Sequence, residues 1–169
     1  MKPPLEDPVE WRLRTRTMCL PKSGELPLFM GIVNVTPDSF SDGGQHDYVE
    51  AAVAHGMSLI EAGADILDIG GESTRPFSDS VDFEEEWRRV GEVIRILAHE
   101  SDCPISIDTS KACVAENAIS NGAEIINDVT GLEGDPAMIT IGVETGAGIC
   151  AMHMQGRPKT MQLKPEYEN

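Results

Sequence analysis

Short apolar runs alternate with amphipathic stretches along the chain from residue 28 onward. The first run, Leu28–Val33, has no polar residue between its apolar ones, which is typical of a strand buried on both faces. Apolar residues at helical spacing follow it between Val49 and Ile60. The same succession then repeats, with further predicted strands at Ile66–Ile69, Pro104–Ile107, Ile125–Ile126 and Ile149–Met152.

Capping signals mark where the helices begin. Asp47 and Asp82 each precede a glutamate by three residues, which is the spacing of a capping box. Asp135 and Pro136 suit the N-cap and first position of a later helix, and another helix is predicted over Lys111–Asn121. The chain is therefore predicted to contain five β-α units, the last of them without its helix.

Strands that alternate with helices predict a parallel sheet in an α/β protein. Its period is about 30 residues per unit, and the segment from Gly63 to Asp68 is echoed from Gly122 to Asn127. Two architectures fit, a doubly wound open sheet and a (β/α)8 barrel. The first β-α turn is long and lacks G-x-G-x-x-G, which argues against a dinucleotide-binding open sheet. Ahead of the repeat, the alternation over Arg12–Thr17 predicts a short strand.

Composition narrows the class of protein further. A hydrophobic fraction of 40% and a charged fraction of 25% fit a globular protein, and no apolar run reaches the roughly 18 residues of a membrane helix. The net charge of −16 argues against nucleic-acid binding, and the start of the chain does not resemble a signal peptide. Three of the four cysteines lie in apolar-periodic segments, so we expect small core residues in a cytoplasmic protein without a membrane partner.

Polar residues collect where the predicted strands end. Asn34, Asp68, Asp108 and Asn127 with its neighbour Asp128 follow the first four strands, and His153 follows the fifth. In a parallel array these ends share one face, which carries the active site in barrel enzymes. Each of these residues by itself could serve a turn or a helix cap, but their recurrence favours a functional site.

Several of these residues lie in long motifs that resemble those of dihydropteroate synthases. Residues 30–44, MGIVNVTPDSFSDGG, are similar to the first signature of that family, and residues 68–76, DIGGESTRP, to the second. The segments SIDTSK at 106–111, IND at 126–128 and MHMQG at 152–156 match as well. The resemblance covers about residues 27–169.

The resemblance implies a fold and a reaction. The fold would be a (β/α)8 barrel, with residues 1–26 an N-terminal extension and residues 27–169 the N-terminal part of a pterin-binding barrel. The reaction would join p-aminobenzoate to 6-hydroxymethyl-7,8-dihydropterin pyrophosphate, giving 7,8-dihydropteroate and pyrophosphate with Mg²⁺ in folate biosynthesis. The chain would lack later strands that carry further pyrophosphate-binding residues, so we expect it to be inactive alone. A homodimer is expected only for the full-length protein.

The resemblance also implies roles for strand-end residues. Asp108 and Asn127 match the residues that hold the pterin, and a carboxylate and an amide can pair with the donor-acceptor edge of an aminopyrimidinone. Asn34 matches the residue beside the metal and the pyrophosphate. His153 could be a ligand, although a packed histidine is the commoner case, and Asp68 could order the second loop instead of touching substrate.

Two loops complete the implied site. Phe40 and Pro76 would flank the aminobenzoate ring, and Asp42 would face the cationic pterin, so that Asp42 joins Asp108 and Asn127 as a catalytic residue. Thr74 and Arg75 would hold substrate phosphate or the loop itself, since Arg suits phosphate contact. Two alternatives stay open, a pterin-binding methyltransferase domain and a non-catalytic binding module.

Overall fold

The computed structural model describes residues 9–36, 45–72, 81–155 and 166, with the backbone alone at 45 and 46. Two short strands come first, β1 (Val9–Arg12) and β2 (Thr17–Leu20). Strands and helices then alternate in the order β3 (Met30–Asn34), α1 (Gln45–Glu61), β4 (Ile66–Gly70), α2 (Phe83–Glu100), β5 (Ile105–Asp108), α3 (Ala112–Ser120), β6 (Ile125–Asp128), α4 (Ala137–Thr145) and β7 (Gly148–Ala151).

The strands from β3 to β7 form one sheet in chain order, and every pair in it is parallel. The predicted parallel α/β architecture is therefore confirmed. Each parallel neighbour requires a crossover, and the helices supply it. Gly63 and Gly122, the repeated glycines of the sequence echo, both have positive φ, 102° and 112°. Each ends a helix in a conformation that other residues adopt only with strain.

The two faces of this sheet pack differently. The face toward the helices is apolar and fully buried, and Val33, Leu67, Ile69, Ile107 and Ile126 form the main core there with the helices. The opposite, inner face has an apolar lower end, where Ile66 and Ile125 are buried, and a polar upper end. The prediction of strands buried on both faces is wrong for β3, because Ile32 on its inner face is 58% exposed.

The segment Arg12–Thr17, predicted as a strand, is instead the connection between two antiparallel strands. The amide of Leu13 donates to the Arg16 carbonyl at 2.8 Å and closes the turn. Tertiary packing overrides the local alternation here, because the Leu13 side chain is drawn into the lower end of the sheet. It packs there against Ile66 and Ile125 and is 1% exposed.

The predicted helix starts are right to within two residues. Asp82 is the N-cap of α2 and accepts the Glu85 amide at 2.8 Å. Helix α1 begins at Gln45, so Asp47 lies in its first turn, where a carboxylate favours the helix dipole. Asp135 accepts the Ala137 amide at 3.0 Å and the Ala112 amide at 2.9 Å, so it serves the starts of both α4 and α3.

The cysteines differ from expectation. Cys19 and Cys113 are exposed, whereas Cys103 and Cys150 are half-buried, and all four are free thiols. The prediction of small core residues holds for Cys103 and Cys150, which pack against the two core clusters. It is wrong for Cys19 and Cys113, because the segments that carry them also have solvent-facing positions. No helix in the described ranges is long and apolar enough to cross a membrane.

Candidate functional site

Register places one row of residues across the upper end of the sheet. Asn34 pairs with Gly70, Gly70 with Asp108, Asp108 with Asn127, and Asn127 with Cys150. Residues in register point to the same side of a sheet, so all five belong to the inner face. The prediction that Asn34, Asp108 and Asn127 converge at the carboxyl ends of the strands is confirmed.

Gly70 opens space in the middle of this row. A Cβ built at Gly70 would lie 3.5 Å from Asp108 Oδ2 and 3.6 Å from Asn34 Oδ1. The polar side chains of two strands thus approach each other over a residue that has no side chain of its own. The absence of a Cβ keeps the space between Asn34 and Asp108 free for a ligand.

Asp68 lies one layer below the row and supports it. The Asn127 amide donates from Nδ2 to Asp68 Oδ2 at 2.9 Å, across 59 residues of sequence. Asp68 is only 5% exposed, and burial raises the pKa of its carboxyl, with the Ser106 and Asn127 side chains acting in the opposite direction. Asp68 therefore contacts a residue of the strand-end row, and the predicted role in ordering the second loop concerns residues 73–80, which lie outside the described residues.

Asp108 occupies the most acidic surroundings of the site. Burial, followed by the negative charges of Asp68, Glu86, Asp128 and Glu72, raises the pKa of the Asp108 carboxyl to about 7. A carboxyl with such a pKa exchanges its proton near neutrality. A ligand that offers N–H donors to Asp108 would favour its ionised form.

Three buried polar atoms on the inner face lack hydrogen-bond partners within the described part of the chain. They are Asp68 Oδ1, Ser106 Oγ and Asp108 Oδ1. Buried polar atoms are normally satisfied, so a cluster of unpaired ones marks a place where a ligand or water completes the network. Their position beneath the Asn34–Asn127 row agrees with a polar ligand bound above them.

A partly buried ion cluster, which no sequence pattern predicted, lies next to the row. Lys111 contacts the carboxylates of Glu72 and Glu86, the latter at 2.5 Å, and Glu86 is fully buried. Burial alone would lower the pKa of Lys111, but the two glutamate hydrogen bonds reverse this and the pKa lies above its ordinary value. The SIDTSK motif contains Lys111, yet only the fold brings it to Glu72, where the second loop begins.

The remaining strand-end residues separate from the row. Asp128 is buried on the opposite face, where it accepts the amides of Thr130 and Leu132 and anchors a turn. His153 is exposed beyond β7, so the packed interpretation is wrong. Within the described ranges, no group of three His, Cys, Asp or Glu could hold a metal ion. The predicted loop residues Phe40, Asp42, Thr74, Arg75 and Pro76 lie outside the described residues.

Sequential parallel strands with a carboxylate and amides at their carboxyl ends define an α/β protein of the barrel type with a ligand site at its upper rim. The family model described as pterin binding enzyme matches residues 30–169. The chain belongs to this family of pterin-binding enzymes.

The relatives and solved structures that resemble this chain are dihydropteroate synthases. The chain is 50% identical over 143 residues to dihydropteroate synthase of Escherichia coli K12, covering 85% of this chain and 50% of the relative. A solved Xanthomonas albilineans dihydropteroate synthase with 4-aminobenzoic acid is 46% identical with a TM-score of 0.80, covering 95% of this chain and 55% of that one. A second solved structure, the Xanthomonas albilineans enzyme in complex with 7,8-dihydropteroate, is 44% identical to this chain with a TM-score of 0.73. The match covers 87% of this chain and 52% of that one.

The similarity to these solved structures establishes the fold to which the chain belongs. The five parallel strands and their helices are one part of a (β/α)8 barrel. The chain spans about half the length of the curated relatives that it matches.

Proposed function

We propose that this protein is a dihydropteroate synthase, which transfers the dihydropterin methylene from pyrophosphate to the amine of p-aminobenzoate. The observation that carries the proposal is the row Asn34, Gly70, Asp108 and Asn127 in register at the strand ends. The relatives named dihydropteroate synthase support it. The five described strands would contribute the pterin side of the site.

The chemistry of the row suits a pterin. Asp108 and the Asn127 amide provide hydrogen-bonding groups for the aminopyrimidinone edge, and the glycine between Asn34 and Asp108 leaves room for a flat ring. Departure of pyrophosphate leaves positive charge on the pterin. The negative charges of Asp68 and Asp108 near the ring would stabilise that charge as it develops.

We propose Mg²⁺ as the cofactor, with Asn34 as a protein ligand. Asn34 is exposed at the end of β3 and its carboxamide oxygen is a hard donor. Mg²⁺ usually keeps several waters and takes its other ligands from one or two protein oxygens and substrate phosphate. When bound, the ion would neutralise the leaving pyrophosphate. Asn34 would then hold the pyrophosphate end of the substrate close to the pterin pocket.

The first test is pterin binding. Asp108→Ala should weaken binding of 6-hydroxymethyl-7,8-dihydropterin pyrophosphate at least about 10-fold, because the donors of the ring lose a charged acceptor. Isothermal titration calorimetry measures this. The matched control is Asp65→Asn at the opposite end of β4, where Asp65 accepts the Phe29 amide at 2.8 Å. Equal affinities for wild type and Asp108→Ala would move Asp108 out of the pocket.

A turnover assay separates the synthase from the alternatives. Pyrophosphate release that requires both the dihydropterin pyrophosphate and p-aminobenzoate would identify a synthase. Pterin binding together with methyl transfer to a thiol would identify a methyltransferase domain. Pterin binding without any turnover would identify a non-catalytic binding module. The loop segments 36–44 and 73–76 favour the aminobenzoate-using enzyme by their resemblance.

We also propose a cytoplasmic location and, at full length, a homodimer. Four free thiols in the described part of the chain suit a reducing compartment. The net charge of −16 disfavours nucleic acid as a partner.

A further inference from the structure

A hydrogen bond to Asp68 fixes the orientation of the Asn127 side-chain amide. The Nδ2 group of Asn127 donates to Asp68 Oδ2 at 2.9 Å. A carboxylate accepts hydrogen bonds and donates none, so the amide nitrogen is the atom that must face it. Because the amide is planar, its Oδ1 points away from Asp68. That oxygen accepts no hydrogen bond from the described part of the chain, which leaves it available to a ligand.

Asp68 is built into the fold as a fixed support. It lies in the middle of β4, is 5% exposed, and pairs in register with Ile32 on one side and Ser106 on the other. A buried side chain between two strands cannot change rotamer freely. Besides Asn127, the Ser106 side chain on the neighbouring strand interacts with the Asp68 carboxyl, so polar neighbours on two strands hold Asp68 in the middle of the sheet.

We propose that Asp68 is a positioning residue that fixes Asn127 with its carbonyl oxygen toward the ligand and so makes the inner rim select for N–H donors. This inference rests on the proposed function. With Asn127 held in this way, Asn127 Oδ1 and the Asp108 carboxylate both present acceptor oxygens. A ligand edge with two adjacent N–H donors matches them, whereas an edge with a carbonyl at one of these positions brings two acceptors together.

Pterins and lumazines differ in this respect. The 2-amino-4-oxo edge of a pterin carries adjacent donors, the 2-amino group and a ring N–H, and a lumazine has a carbonyl in place of the 2-amino group. The wild-type site should therefore prefer 6-hydroxymethylpterin to 6-hydroxymethyllumazine. Without Asp68 the amide of Asn127 can turn over and present its NH₂ group, which would accommodate the lumazine carbonyl.

The variants follow from this argument. Asp68→Ala should lower the pterin-to-lumazine affinity ratio about 10-fold or more, mainly through weaker pterin binding, because a buried hydrogen bond that orients the amide is lost. Asp68→Asn keeps an acceptor oxygen for the Asn127 amide and should retain most of the ratio. Asp65→Asn, just before the start of β4, should leave the ratio unchanged. Calorimetric titrations of both probes give the ratios.

A double-mutant cycle tests whether Asp68 acts through Asn127. In an Asn127→Ala background, Asp68→Ala should change the pterin-to-lumazine ratio little, because the residue that it orients is absent. Full additivity of the two substitutions, or an equal loss of affinity for both probes in Asp68→Ala, would overturn the proposal in favour of a merely structural Asp68.

An NMR spectrum of the ligand-free protein tests the positioning role of Asp68 independently of the proposed function. In ¹H–¹⁵N spectra the Asn127 side-chain NH₂ pair, assigned by its loss in Asn127→Ala, should exchange slowly with water in wild type and rapidly in Asp68→Ala. Unchanged exchange would overturn the positioning role. If wild type binds neither probe, the proposed function and the selectivity fail together, and the NH₂ spectrum decides the positioning role by itself.

Discussion

At the scale of single residues, Asp108 sets binding against stability. Folding places its carboxyl in a buried site among Asp68, Glu86, Asp128 and Glu72, which raises its pKa to about 7. The ionised form, which a ligand rich in N–H donors would need, is the form that burial and the neighbouring carboxylates disfavour. Binding residues commonly carry such a cost, because a site prepared for a partner is incomplete without it.

This cost predicts a pH dependence of stability. The pKa of Asp108 in the folded chain, about 7, exceeds its ordinary value of 3.8, so between these pH values the folded chain binds a proton that the unfolded chain has released. Stability contributed by Asp108 should therefore fall as pH rises from about 4 to about 7, by up to about 1.4 kcal/mol per pH unit, and then level off.

Asp108→Asn removes this titration while keeping the shape of the side chain. We expect the variant to unfold at higher urea concentration than wild type at pH 8, and to show a flatter dependence of unfolding free energy on pH between 5 and 7. Urea unfolding at several pH values measures both. A variant with the wild-type pH slope would place the titrating group elsewhere.

At the scale of elements, Glu124 attaches the β1–β2 hairpin to the sheet. It accepts the Thr15 amide at 3.2 Å and the Thr15 hydroxyl at 2.7 Å, and it forms an ion pair with Arg16 at 2.8 Å. Arg16 also donates to the Asp102 carbonyl at 2.6 Å. Glu124 is 5% exposed, and a buried carboxylate without such partners would carry a large desolvation cost.

Glu124→Ala should therefore detach the hairpin and lower the free energy of unfolding by about 2–3 kcal/mol, because several charge-assisted hydrogen bonds are lost. Glu124→Gln keeps the acceptor for Thr15 and should cost less. Urea unfolding gives the free energies, and Trp11 emission in a Trp87→Phe background reports exposure of the hairpin.

The matched control is Glu92→Ala. Glu92 forms an exposed pair with Arg95 within one helix, and such pairs contribute little to stability. We expect no measurable change in the control. An equal effect of the two alanine substitutions would show that Glu124 does not hold the hairpin.

At the scale of the whole molecule, the inner face of the sheet has an apolar end and a polar end. The hairpin closes the apolar end with Leu13, which packs against Ile66 and Ile125. Gly148 accommodates it, since a Cβ at that position would lie 2.6 Å from Leu13 Cδ2. The row of Asn34, Asp108 and Asn127 lies at the opposite, polar end. The hairpin contact and the proposed ligand site therefore occupy different ends of the same face.

The fit between Leu13 and Gly148 predicts non-additive substitutions. Leu13→Ala should lower the free energy of unfolding by about 3 kcal/mol, because it leaves a cavity in a buried cluster. Gly148→Ala alone should cost about 1–2 kcal/mol through overpacking, but little in the Leu13→Ala background, where the space is free. Chemical unfolding of the four proteins of this cycle measures the coupling, and additive costs would contradict the packing.

The sequence by itself determined the parallel β-α order and three residues of the row at the strand ends. Apolar runs and helical spacing are local signals, and parallel strands place their carboxyl ends together whatever their exact register. Asn34, Asp108 and Asn127 could therefore be assigned to one rim. The roles of Phe40, Asp42, Thr74, Arg75 and Pro76, and the expected inactivity of the chain alone, stay predictions.

Tertiary structure alone decided which residues support that rim. The Asn127–Asp68 bond spans 59 residues and the Lys111–Glu72 contact spans 39, and the approach of Leu13 to Gly148 closes the opposite end. Such contacts depend on how far neighbouring strands are shifted and on which face each side chain takes, and no local pattern encodes them. The raised pKa of Asp108 has the same origin, because it sums burial and charges that only folding brings together.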